Sequence, residues 1–286
     1  MSVPPLAWVA RGLAPAEASV TVLVPPGVSP HGWEPTPAQA QALHGSDLVL
    51  LVGAGMEPAI DRSLAARGGS ALRVLRFGEA VGVTGNAHDH EHDATADHAH
   101  DHEHAVDPHL WLDPALMADL VRAAHDRMLE SQDLRGALDD DERARLGAAR
   151  DALLAEVALV REDGAAALGA HAGAGLVTVH DAWDRFAQAF GLRVAGVLQH
   201  QGESEASPGA VAAAATMVRS GDARVIVVEP QYTDALARRV ASETGAAVAL
   251  LDPLGTGLPG GDWPAMMRAN IAALASALAP AGEAGE

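Results

Sequence analysis

The chain has 286 residues, 49% of them apolar. That is enough material for two domains with their own cores, and no apolar run approaches the roughly 20 residues of a membrane span. A net charge of −19, with every basic residue an arginine, argues against a nucleic-acid or anionic-membrane surface. The absence of cysteine excludes disulfides, thiolate ligands and a cysteine nucleophile, so any metal ligands must come from His, Asp and Glu.

Residues Met1 to Ala14 read as the tail of a strand followed by a short helix. They lack the charged and apolar regions of a signal peptide, so a cytoplasmic location or a processed or truncated start is expected. Ser19 to Val24 (SVTVLV) is β-branched and apolar and predicts a buried strand. Pro25-Pro26-Gly27 ends it, and the Pro-rich loop that follows carries His31. Taken alone, His31 reads as a turn histidine. Thr36 caps a helix with Pro37 in its first turn, to about His44. Strands are expected over Asp47–Val52 and Leu72–Leu75, with a helix from Pro58 to about Arg67 between them. Strand–helix alternation of this kind predicts parallel α/β structure.

Between residues 86 and 105 seven histidines, His88, His90, His92, His98, His100, His102 and His104, alternate with Asp and Glu. The segment has no apolar face and is expected to be a mobile loop that binds divalent metal weakly. His109 differs, because Leu110, Trp111 and Leu112 beside it can be buried and hold it still.

Asp113-Pro114 starts a helix to about Leu129. Asp139 to Leu168 forms the longest helical stretch, about 40 Å at 1.5 Å per residue. Acids at its start suit the positive end of the helix dipole. Leu146, Ala149, Leu153, Val157 and Val160 make an apolar stripe. Its position midway along the chain predicts a rigid connection between two lobes. Strands are then expected at Leu176–Val179, Leu192–Leu198, Arg224–Val228 and Ala247–Leu251, with helices from Pro208 to Ser220, Asp234 to Thr244 and Trp263 to Leu278.

Three candidate ligands stand just past strand ends: His31, His180 and Asp252. Open α/β sheets bind ligands outside the carboxyl ends of their strands. With His109 they divide two and two around the long helix, so all four can meet in a cleft between lobes. Three imidazoles and a carboxylate favour a tetrahedral borderline ion such as zinc. His44, His125 and His171 are expected on helices, exposed. His200 is expected near a strand end as an outer partner, and Glu205 and Glu229 as acids that organise loops.

Four phrases, in order, carry a resemblance: Val24–Pro37 (VPPGVSPHGWEPTP), Asp107–Pro114 (DPHLWLDP), His180–Trp183 (HDAW) and Leu251–Gly255 (LDPLG). They resemble the metal-binding lipoprotein and zinc-uptake group of ABC-transporter solute-binding proteins. The resemblance covers nearly the whole chain. It implies an α/β fold of two similar lobes with parallel sheets, joined by a long rigid helix, with the metal in the cleft. The expected division is 1–138 including the His-rich loop 86–105, then 139–169, then 170–286. The implied ligands are His31, His109, His180 and Asp252, and a histidine in the third place goes with zinc rather than manganese. The implied function is capture of zinc outside the inner membrane and delivery to an ABC permease, by a monomer that is not an enzyme. The chain shows neither the signal sequence nor the first strand usual ahead of Ser2, nor an anchoring cysteine, so an extracytoplasmic location is expected without a stated anchor. Two other readings use the same residues: a zinc hydrolase with an open fourth position, and a metal buffer acting through the His-rich loop. Against the hydrolase stand the absence of an HExxH motif and of an evident general base.

Overall fold

The structure is a computed structural model that describes residues 1–66, 73–83, 106–133, 139–199, 207–258 and 261–280. In the N-terminal half, α1 (Leu6–Leu13), α2 (Pro37–Gly45), β1 (Leu48–Leu51), α3 (Pro58–Ala65), β2 (Arg73–Arg76) and α4 (Phe77–Ala80) follow in order. β1 and β2 pair in parallel, Leu48 opposite Arg73 and Leu51 opposite Arg76. Thr36 caps α2 through a capping box: its hydroxyl accepts from the Gln39 N–H at 3.3 Å, and the Gln39 side chain accepts from the Thr36 N–H at 2.9 Å. Glu57, at the start of α3, is buried and accepts from the Val52 and Gly53 amides at 2.8 and 3.0 Å. Burial pushes its carboxyl up to about 7.

The strand expected over Ser19–Val24 is not formed as a ladder. Its neighbour is the short stretch Met1–Ser2, which accepts from Leu23 and Val24 at 2.9 and 3.0 Å while the Ser2 N–H donates to Leu50 O at 3.1 Å. Two residues between two longer runs join them without completing a ladder. α4 was not foreseen, because four residues carry no helical periodicity.

α5 (Pro114–Asp133) closes the N-terminal half, and α6 (Asp140–Leu168) follows it. The C-terminal half contains β3 (Gly175–His180), α7 (Asp184–Ala189), β4 (Arg193–Gln199), α8 (Pro208–Ser220), β5 (Val225–Val228), α9 (Ala235–Thr244), β6 (Ala247–Leu250) and α10 (Trp263–Leu278). Four strands pair in the order β4-β3-β5-β6, all parallel. β3 is central and buried along all six residues, as befits a parallel sheet covered on both faces.

The long helix is continuous over 29 residues and packs on α1, α5 and α10. It is therefore a member of the core and not a free strut. Leu146, Leu153, Val157, Val160 and Leu168 are its buried apolar residues. Gly164 lets Phe190 approach: a Cβ there would stand 2.1 Å from the aromatic ring. One apolar cluster runs through both halves, from Leu13 and Leu50 by way of Trp111 and Val157 to Phe186, Trp263 and Leu274. Two indole hydrogen bonds cross the same interface. Trp111 Nε1 donates to Pro253 O at 2.6 Å, and Trp263 Nε1 donates to Trp111 O at 2.7 Å.

Candidate metal centre

His31 sits in a loop of two tight turns. The Val28 N–H donates to Pro25 O at 3.2 Å, and the Trp33 N–H donates to Pro30 O at 3.3 Å. Gly27 and Gly32 occupy the third position of each turn with φ of 75° and 72°, values that side chains with a Cβ rarely adopt. This puts His31 at the corner of the second turn, half-buried. Its backbone N–H donates to Ser29 Oγ at 3.3 Å.

His109 precedes a 3-10 turn, Leu110–Leu112, whose three side chains are fully buried. That apolar anchor fixes the backbone, and Asp107 fixes the ring: its Oδ1 lies 2.8 Å from His109 Nδ1 and accepts from the His109 N–H at 2.9 Å. With Nδ1–H on a carboxylate, the Nε2 lone pair faces the opposite way. Arg185 of α7 holds Asp107 in turn, donating through Nε and Nη2 to its carbonyl at 3.0 and 2.8 Å.

His180 is the last residue of β3. Its Nδ1 lies 3.4 Å from Glu229 Oε2, while the other oxygen of Glu229 accepts from Trp183 Nε1 at 3.0 Å. Glu229 follows β5, next to β3 in the sheet, so the register that sets Thr178 opposite Val227 brings Glu229 beside His180. His180 Nε2 is buried without a hydrogen-bond partner, and an Asp181 oxygen stands 3.4 Å from it. A buried lone pair with no donor on it is what a metal ligand requires.

These three side chains converge from chain positions 78 and 71 residues apart. Each offers a ligand atom within 4.8 Å of the others, and they form the one such His/Asp/Glu group among the described residues. The rings stand mutually edge-on, centroids 5.0 to 5.2 Å apart. His31 Nε2 and His109 Nε2 are 3.1 Å apart. Ligand nitrogens about 2.0–2.1 Å from zinc in a tetrahedral shell stand roughly 3.3–3.4 Å from each other, a spacing this pair misses by a few tenths of an ångström. Between the rings is a cavity of about 10 Å³, lined also by Ser29, Glu229, Gln231 and Tyr232. Burial, then the neighbouring His109 and His180, pushes the His31 imidazole down to about 3. It is therefore neutral at physiological pH, the form that coordinates.

Asp252 follows β6 at the edge of this cavity, which Pro253 and Leu254 line. Its Oδ1 accepts from Gln231 Nε2 at 2.9 Å and from the Leu254 N–H at 3.0 Å, and its Oδ2 accepts from the Thr256 N–H. The structure thus brings three of the four expected ligands together and holds the fourth carboxylate on backbone amides beside them. The seven histidines from His88 to His104, and His200 and Glu205, lie outside the described residues. His125, expected to be exposed, is buried, 5% accessible, on α5. Glu229 orients His180 instead of organising a loop. Asp107, Ser29 and Tyr232 were not singled out in the sequence. The Asp-Pro-His spacing could have pointed to Asp107; only the tertiary structure assembles the others.

The fold and the sequence both have close parallels. A family model described as ZnuA, zinc-uptake complex component A, periplasmic, matches residues 1–277. The chain is 29% identical over 273 residues to the high-affinity zinc uptake system protein ZnuA of Yersinia pestis, covering 90% of this chain and 83% of that one. It is 25% identical over 248 residues to the protein of the same description from Bacillus subtilis, covering 82% and 71%. Among solved structures, a crystal structure of ZnuA superposes with a TM-score of 0.78 at 25% identity, covering 96% of each chain. The periplasmic zinc-binding protein TroA of Treponema pallidum shares the fold, with a TM-score of 0.74 over 97% of each chain. A match along nearly the whole length, with the histidine phrases converging on one point, places this chain in the zinc-uptake complex component A family.

Proposed function

We propose that this protein is the zinc-binding component of an ABC importer, which takes up the ion outside the inner membrane and presents it to a permease. The observation that carries the reading is the convergence of His31, His109 and His180 around a one-ion cavity, with two carboxylates behind the rings. Zinc is the cargo, not a catalytic group. Three imidazoles suit it, and the stability order places it well above manganese. Family membership favours carriage over hydrolysis or simple buffering. Among the described residues no helix is long and apolar enough to cross a membrane. The reading takes the carrier as a periplasmic monomer.

Asp252 enters this reading as the fourth ligand, reached by a turn of its side chain away from Gln231. The division into lobes 1–138 and 170–286 with 139–169 between them belongs to the same reading, as does a weaker zinc store in the histidines of 86–105. Calorimetric titration with zinc tests it. Wild type should take one tight equivalent, lost on replacing His109 and His180, and Asp252→Asn should weaken binding without abolishing it. Unchanged affinity in Asp252→Asn would leave a three-histidine shell. Deletion of 86–105 should remove only weak equivalents.

A further inference from the structure

Two of the three converging histidines come from opposite halves of the chain. His180 ends β3 of the C-terminal half, and His109 precedes α5 of the N-terminal half. Their placement relative to each other therefore depends on contacts that cross between the halves close to both rings. Arg185 makes such a contact.

Arg185 stands in the first turn of α7, the helix that follows His180. Phe186 and Ala187 of α7 are fully buried, and the helix packs on the 3-10 turn Leu110–Leu112 that follows His109. From this fixed base the guanidinium reaches Asp107. Nε and Nη2 donate to the Asp107 carbonyl at 3.0 and 2.8 Å, and Nε faces Asp107 Oδ2 at 3.4 Å. That oxygen is buried and has no hydrogen-bond partner. A buried carboxylate oxygen is costly unless a cation stands beside it, and Arg185 is that cation. The other oxygen, Oδ1, accepts from the His109 N–H and lies 2.8 Å from its Nδ1. The contacts thus run from α7 through Arg185 and Asp107 to the His109 ring.

We propose that Arg185 is a positioning residue for zinc binding: by gripping Asp107 from the opposite half, it sets the orientation of His109 toward His180. The inference rests on the zinc-binding reading above and adds to it the residue that carries the placement of α7 to a ligand of the other half. An ion pair that merely held the halves together would change the stability of the fold and leave the surroundings of the ion as they are.

Competition with a chromophoric chelator measures the zinc affinity of the full chain in wild type, Arg185→Gln and Arg185→Lys. Arg185→Gln should bind zinc about tenfold more weakly, the equivalent of one charge-assisted hydrogen bond. Arg185→Lys should fall between it and wild type, because the ammonium restores a charge beside Oδ2 but not the planar fork on the carbonyl. The visible band of cobalt-loaded Arg185→Gln should be displaced from its wild-type position, and that of Arg185→Lys displaced less, since the field at the ion follows the His109 ring. The inference is overturned if a folded variant binds zinc as wild type does, or if Arg185→Lys is no better than Arg185→Gln. It is also overturned if binding weakens while the cobalt band stays in place, which would make Arg185 a tie of the fold alone. Should Arg185→Gln not fold, the affinity and the cobalt band of Arg185→Lys decide by the same criteria. A wild-type protein that takes up no zinc would sink the binding reading and this inference with it, whereas tight wild-type binding with unaffected variants sinks the inference alone.

Discussion

His109 and His180 differ from His31 in what stands behind them. The first two are 2% and 4% exposed, on a 3-10 turn anchored by three buried side chains and at the end of a central strand. Each has a carboxylate on its Nδ1. His31 rides a loop of prolines and glycines and is half-buried. The difference teaches that the site has a buried floor and a partly exposed wall.

The largest expected effect separates floor from wall. His109→Ala and His180→Ala should each lower zinc affinity by more than the roughly 10- to 100-fold associated with an outer partner of a ligand. His31→Ala should cost less than either. Competition against a chelator of known affinity measures this, and a His31→Ala loss greater than the other two would break the comparison.

Next come the carboxylates behind the floor. Asp107→Asn and Glu229→Gln keep shape but remove charge, and each should weaken zinc binding about 10- to 100-fold. Because Asp107 approaches His109 at 2.8 Å and Glu229 approaches His180 at 3.4 Å, the first should cost more. The reverse order in a titration would show that the Glu229–Trp183 bond, not the ring contact, decides the position of His180.

Acid should act on the zinc-free protein through the wall. His31 titrates at about 3 when folded against 6.5 when free. The unfolded chain binds the proton more tightly between those values, so this contribution to stability is lost as pH falls from 6.5 toward 3. Glu57 runs the other way. It titrates at about 7 when folded against 4.5 when free, so its contribution is present below 4.5 and lost as pH rises through 7. Denaturant midpoints of the zinc-free protein across this range should show both limbs. His31→Ala should flatten the acid limb and Glu57→Gln the neutral one; a variant that flattens neither limb contradicts the assignment.

The smallest effect is on overall shape. With α6 packed on α1, α5 and α10 and two indoles bonded across the interface, zinc loading should leave the radius of gyration nearly unchanged. A large decrease in small-angle scattering on loading would show that the halves move.

Much of the architecture was legible in the sequence because local patterns dictate it. The helix at 263–278 matches its expected limits, and the long helix and the N-cap at Thr36 follow from apolar spacing and end signals. Ser19–Val24 misled because β-branched composition reports a propensity to extend, while a ladder needs a partner of sufficient length. His31 and His180 could be chosen from their places after β-branched apolar runs, His109 from the apolar Leu110, Trp111 and Leu112 beside it, and all three from the phrases around them.

By itself, then, the sequence determined most of the elements, their parallel alternation, the donor types open to a metal in a chain without cysteine, and the candidate ligands. Those properties reside in single residues and their near neighbours. The tertiary structure alone decided which carboxylate backs which imidazole, that Asp252 rests on the Leu254 and Thr256 amides, and that the Tyr232 ring lies on His180. Each of those is a contact between segments far apart in the chain, and its geometry depends on strand register and core packing, which no local pattern encodes.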